Sequence, residues 1–189
     1  LSGQSSSTHG YSSGAASPSP TNIIDKFTYS SDGNATDVGD MIATNTNTTG
    51  QSSNTHGYIS GGTGATMNHI EKFSFASDGN ATDTADLTVG VSSPAGQSSS
   101  THGYASGGAP NTDTIGKFSF LSNANATDVG NLTVARHYVS GQSSTTHGYT
   151  SGGNKAKNII DKFTFASDAD ATDVGDLTSG RHGTAGQQY

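Results

Sequence analysis

The phrase Gly-Gln-Ser-Ser-x-Thr-His-Gly-Tyr-x-Ser-Gly occurs four times, its Thr-His-Gly-Tyr core falling at residues 8–11, 55–58, 101–104 and 146–149. Each copy leads through a variable stretch into Lys-Phe-x-[Phe/Tyr]-x-Ser, then Ala-Thr-Asp and a short apolar tail. Counted from the Gly-Gln pair, the cassettes cover residues 3–49, 50–95, 96–140 and 141–185, and residues 186–189 open a fifth. A period of about 46 residues belongs to solenoids, propellers and arrays, where one supersecondary unit stacks on copies of itself. Every shared side chain is then present once per cassette, which suits repeated surfaces better than one asymmetric active centre.

Only 29% of the residues are apolar, a fraction that in a patternless chain would point to disorder. Here the apolar residues return to the same few positions of each cassette, so a thin face of each unit can be buried against its neighbour. The formal charge of −7 is wrong for a phosphate-binding surface, so no nucleic-acid partner is expected. No apolar run approaches the length of a membrane span, and no charged-then-apolar leader follows Leu1. The first residue is not Met, which suggests processing from a longer product. With no cysteine, disulfides and thiolate metal sites are excluded.

Within a cassette the pattern reads as four short strands, with almost no helix. A slim Ser-Gly-Gln-Ser segment comes first. The Thr-His-Gly-Tyr strand closes on a glycine doublet in three of the four copies: Gly61-Gly62, Gly107-Gly108 and Gly152-Gly153. After a loop, Ile24–Tyr29 and its equivalents carry apolar groups on both faces, as a strand sandwiched between two sheets requires. A Ser31-Asp32-Gly33-Asn34 turn then leads into Ala35–Met41. Tyr11, Tyr58, Tyr104 and Tyr149, with Phe27, Phe73, Phe118 and Phe163, are expected to be buried between units.

The order Arg, short strand, aromatic-x-x-Gly-Gly, loop, apolar strand, turn and short strand resembles the kelch repeat of β-propellers. Arg136 to Gly153 carries the likeness best, with Tyr149 and Gly152-Gly153 in the diagnostic places, followed by Ile160–Phe165 and Asp173–Leu177. The phrasing of the cassette is also similar to tandem-repeat proteins of marine bacteriophage and metagenomic origin. The resemblance implies an all-β, four-bladed kelch-like β-propeller. The chain departs from kelch in having no Trp, no glycine doublet in the first copy and no Arg in the first two. Leu1–Ser5 and Thr184–Gln188 are both versions of the innermost strand. One of them could close a ring, the chain could be a window on a longer array, or two chains could share a larger ring.

Two clusters invite a metal reading. His9, His56, His102 and His147 would form a ring by symmetry, and His is a good ligand for Zn, Ni or Cu; hydrogen bonding to backbone or hydroxyl groups accounts for them better. Asp32, Asn34 and Asp37, with Asp168, Asp170 and Asp173, place oxygens at alternating positions as calcium loops do. The sixth-position glycine and the closing Glu are missing, and Asx turns explain the same residues. No cofactor is expected. Asn34, Asn47, Asn80, Asn125 and Asn131 start glycosylation sequons that chance and duplication explain in so Asn- and Thr-rich a chain.

The differences between copies are more informative about recognition. After the glycine position the loops read Ala15–Pro20, Thr63–His69, Ala109–Asp113 and Asn154–Asn158, and in a propeller all would crown one face. His69, Asp113, Lys155 and Lys157 vary in charge from copy to copy and are the candidate ligand-binding residues. Catalysis has no unique nucleophile–base set to stand on. The expected function is a non-enzymatic binding or adhesion module, extracellular or on a virion (phage) surface, that takes a glycan or protein receptor on its loop face. The alternative is a purely structural repeat, a fibre segment or duplicated scaffold, able to self-associate through its repeats.

Overall fold

The computed structural model describes residues 1–16, 18–155, 157–183 and 185–186. Among them are sixteen strands and one short 3-10 turn, Gly64–Thr66. The first sheet is β1 (Ser2–Ser5), β2 (His9–Ala15), β3 (Thr21–Thr28) and β4 (Thr36–Asp40). The second is β5 (Thr49–Ser52), β6 (His56–Ser60), β7 (His69–Ser74) and β8 (Thr82–Asp86). The third is β9 (Ala95–Ser98), β10 (His102–Ser106), β11 (Thr114–Ser119) and β12 (Thr127–Asn131). The fourth is β13 (Ser140–Ser143), β14 (His147–Ser151), β15 (Ile159–Thr164) and β16 (Thr172–Asp176). Each sheet is a four-stranded antiparallel meander drawn from one consecutive run of chain, as the repeat predicts.

The glycine doublets end the second strand of a sheet because both residues take positive φ, 67° and 121° at Gly107 and Gly108. The first sheet shows what happens without one. Ala15 follows Gly14 there, the strand runs on, and Ala15 pairs with Thr21 beyond a bulge. The glycine inside Thr-His-Gly-Tyr has a packing reason instead. Gly10, Gly57, Gly103 and Gly148 each lie beneath the ring of the Phe opposite them, where a Cβ would strike the aromatic carbons.

Sheets stack face to face in chain order, and the same joint is built three times. Tyr11 lies 5.3 Å from Phe73 and stacks on Phe75 at 4.8 Å. Tyr58 does the same with Phe118 and Phe120, and Tyr104 with Phe163 and Phe165. Ile24 and Met41, Ile70 and Leu87, and Ile115 and Leu132 complete the three apolar clusters. Polar groups follow the same rule. The Gln4, Gln51 and Gln97 amides donate to the carbonyls of Tyr58, Tyr104 and Tyr149 in the next sheet, at 3.0–3.1 Å. Lys26 pairs with Asp78, Lys72 with Asn123, and Lys117 with Asp168.

Each joint also has a variable part. At the third, Arg136 and Asp161 are both fully buried and pair at 2.8 Å, while Thr133 donates its N–H and hydroxyl to the same carboxylate. At the second, Val91 and Gly116 hold the corresponding places. At the first, Asn45 replaces the Arg, and the Ile42 N–H donates to buried Glu71 at 3.0 Å. Burial raises the Glu71 pKa above its usual value of 4.5, the Ile42 hydrogen bond opposing only part of that. A carboxyl raised on folding contributes most stability below its unfolded pKa, and the contribution is lost as pH rises through the folded value. Stability should therefore fall with rising pH just above the usual Glu range. Glu71→Gln should flatten that slope and be the more stable form at neutral pH, as urea titrations across the range would record.

The expected closed four-bladed ring is not what the chain forms. The inner strands β1, β5, β9 and β13 pack in succession, but β1 and β13 are not neighbours. Gly50, Gly96 and Gly141 each sit so tightly on the preceding inner strand that a Cβ would strike its carbonyl, whereas above Gly3 lies only Tyr11 of its own sheet. An open arc leaves two sheet faces uncovered, and this corrects two core assignments. Phe27, expected to be buried, is 43% exposed while Phe73, Phe118 and Phe163 are at 3%. Tyr149 is only half-buried, unlike Tyr11, Tyr58 and Tyr104.

Candidate functional site

The inner strands bend around a cavity of about 620 Å³. Most of its wall is slim, Ser2–Ser5, Thr48–Gly50, Pro94–Gly96 and Val139–Gly141, and the exposed Leu1, Phe27 and Tyr29 line it together with Ala185 and Gly186. Among the described residues no Asp, Glu, Lys, Arg or His lines it. The narrow inner radius explains why Ser-Gly-Gln-Ser was chosen for this strand: larger side chains could not be brought side by side there. Gln4, Gln51 and Gln97 bridge to the next sheet, whereas Gln142 bonds Ser151 of its own sheet.

At one rim stand Asn47, Ser93, Tyr138 and Gly183, each three residues before its Gly-Gln pair. All four have left-handed backbone, with φ of 59°, 55°, 55° and 66°. Ser93 N–H donates to the Asn47 carbonyl at 2.7 Å, Tyr138 to Ser93 at 3.1 Å, and Gly183 to Tyr138 at 3.0 Å. For Ser and Tyr this conformation is strained, and it is kept because the chain of hydrogen bonds around the axis requires it. The Tyr138 ring is 42% exposed and lies 4.8 Å from His137. Sequence reasoning missed this set. The signal available was a position of changing identity directly ahead of an invariant motif.

The loops after the glycine positions adjoin this rim. Linker N–H groups donate to loop carbonyls, Val91 to Met67, Arg136 to Thr112 and Arg181 to Lys157, so loops and linkers form one surface. Between the third and fourth sheets, His137 Nδ1 shares a 2.6 Å hydrogen bond with Asn111 Oδ1, and its N–H donates to Asn154 Oδ1.

The four sequence candidates stand in different settings. Lys155 is exposed at a loop tip with φ of 59°. Lys157 and Asp113 are half-buried, their carbonyls taken by the Arg181 and Leu132 N–H groups. His69 is the first residue of β7 rather than part of the loop. Its Nδ1 lies 3.6 Å from Asp83 Oδ2, beyond hydrogen-bonding distance.

The repeated histidines stand at the start of the second strand of each sheet. In each, Nδ1 shares a 2.8–2.9 Å hydrogen bond with the preceding threonine hydroxyl. The histidine N–H donates to a serine three residues earlier, closing the turn into the inner strand. Burial, helped by Lys72 and Lys117, lowers the pKa of His56 and His102. The conserved phrase is thus a turn device. Asp37, Asp128 and Asp173, the second residues of β4, β12 and β16, likewise act locally, each accepting the N–H two residues on beside the register shift of its strand. Among the described residues no three His, Asp or Glu side chains are placed to share a metal ion.

No family model matches the chain, and no curated protein is significantly similar to it.

Proposed function

We propose that this protein is a non-enzymatic binding or adhesion module built of kelch-like blades in an open arc, displayed on a virion or cell surface, that holds a neutral glycan at the Tyr138 rim. The observation that carries this reading is an aromatic ring beside a cavity mouth with no charged lining among the described residues. A sugar ring needs hydroxyl and amide partners for its hydroxyl groups and a flat apolar surface for its C–H face. Asn47 and Ser93 supply the first and Tyr138 the second. His137, Asn111 and Asn154, with Lys155 at the periphery, vary between copies and would set selectivity.

A glycan array probed with the intact chain, followed by calorimetry on any hit, tests the reading. Tyr138→Ala should weaken binding by about tenfold or more, as loss of a buried aromatic contact does, with the melting temperature nearly unaltered. Exchanging the Ala109–Asp113 and Asn154–Asn158 loops should change selectivity. Binding that survives both changes, or no binding to any neutral glycan, overturns it.

A further inference from the structure

We propose that the uncovered faces of the first and fourth sheets are two halves of one joint, closed head to tail by a second copy of this chain. The proposal does not depend on the glycan reading. It rests on the joint that the molecule already builds three times, because each uncovered face carries one complete side of it.

In the internal joints a tyrosine from one sheet packs on two aromatics of the next. Among the described residues, the fourth sheet's Tyr149 has no aromatic pair to meet. The first presents Phe27 and Tyr29, 43% and 56% exposed, with no tyrosine to receive among the described residues. Val174, on the other side of the missing contact, is 47% exposed although Val38 and Val129 are partly buried by their neighbours. Exposed apolar groups gathered on two flat faces of so polar a chain mark an interaction surface.

The charges say which partner fits. Arg181 stands five residues before Gly186, as the buried Arg136 stands five before Gly141. Asp25 holds in β3 the place that Asp161 holds in β15, each between Ile and Lys. The two ends therefore carry the Arg and Asp of the third joint, not the Asn–Glu or Val–Gly sets of the others. Thr178 likewise stands where Thr133 donates to Asp161. Lys162 corresponds to Lys26 and Lys117, and Asp32 to their partners Asp78 and Asp168. Seating the first sheet of a second copy on the fourth sheet of the first would pair Arg181 with Asp25 and Lys162 with Asp32. Residues Ala185 and Gly186 lie over β13, where β1 of the incoming copy belongs. They are exposed, whereas β1 is paired along its length with β2, so the terminal segment is the one displaced. A contact of this kind joins unlike faces and builds either a closed ring or an open chain.

Charge exchange tests the joint without disturbing either fold. Arg181→Glu sets acid against Asp25, and Asp25→Arg sets base against Arg181, so each variant alone should associate more than about tenfold more weakly than the parent in sedimentation velocity. Mixed together, Glu at 181 of one copy faces Arg at 25 of the other, while the remaining joint keeps its natural pair. The mixture should associate again, in equal proportions by native mass spectrometry. Tyr29→Ser should weaken association with unchanged circular dichroism, and a chain truncated after Gly183 should associate at least as tightly as the parent. A parent chain that stays monomeric at millimolar concentration, or variants whose mixture is no better than either alone, overturns the proposal.

Discussion

Truncation of Phe118 to alanine should destabilise the fold by about 3–5 kcal/mol, the usual cost of emptying a buried aromatic site, while Phe27→Ala should cost about 1 kcal/mol or less. The two residues hold the same position in their cassettes, follow the same lysine and cover the same glycine. Only their neighbours differ. Phe118 is enclosed between its own sheet and Tyr58, whereas none of the described residues stacks on Phe27 from outside its own sheet. Denaturant titration at concentrations where the chain is monomeric would measure both. Equal losses at the two positions would mean that the aromatic acts within its sheet and that stacking contributes little.

Arg136→Ala should be as damaging, about 3–5 kcal/mol, because it leaves the Asp161 carboxylate fully buried without its cation. The guanidinium also donates to the Gly152, Val134 and Thr150 carbonyls. A companion variant separates the pair from the space it fills. Arg136→Val with Asp161→Gly copies the Val91 and Gly116 set of the second joint, which the molecule already tolerates. Replacing a buried ion pair by apolar groups of similar volume is commonly near neutral, and because Val and Gly leave part of the space empty the double variant should regain part of the loss. A double variant no better than Arg136→Ala would show that the hydrogen bonds to the carbonyls, and not the ion pair, hold this joint.

Much of this architecture is written in local pattern. The glycine doublets, the Ser-Asp-Gly-Asn turn and the alternating apolar positions specify four antiparallel strands per cassette through short-range sterics, and the repeat dictates that equal sheets stack. The histidine phrase was legible as structural because a Thr hydroxyl and a Ser three residues back satisfy it locally. The candidate site was less legible. His69 and Asp113 have the right variability, but whether a side chain at a loop edge faces solvent or the next strand is decided by packing across the loop.

By itself the sequence determined the unit, its strands, its turns and the side chains that each unit offers its neighbours. It could not determine whether the stack closes. Closure depends on the rotation between successive sheets, which is set by how Tyr, Phe and the inner-strand glycines pack across each joint, and no pattern within a cassette encodes that angle. The same rotation leaves Phe27 and Tyr149 uncovered, brings Asn47, Ser93 and Tyr138 to one rim, and gives chemically equal residues at the two ends of the arc different environments.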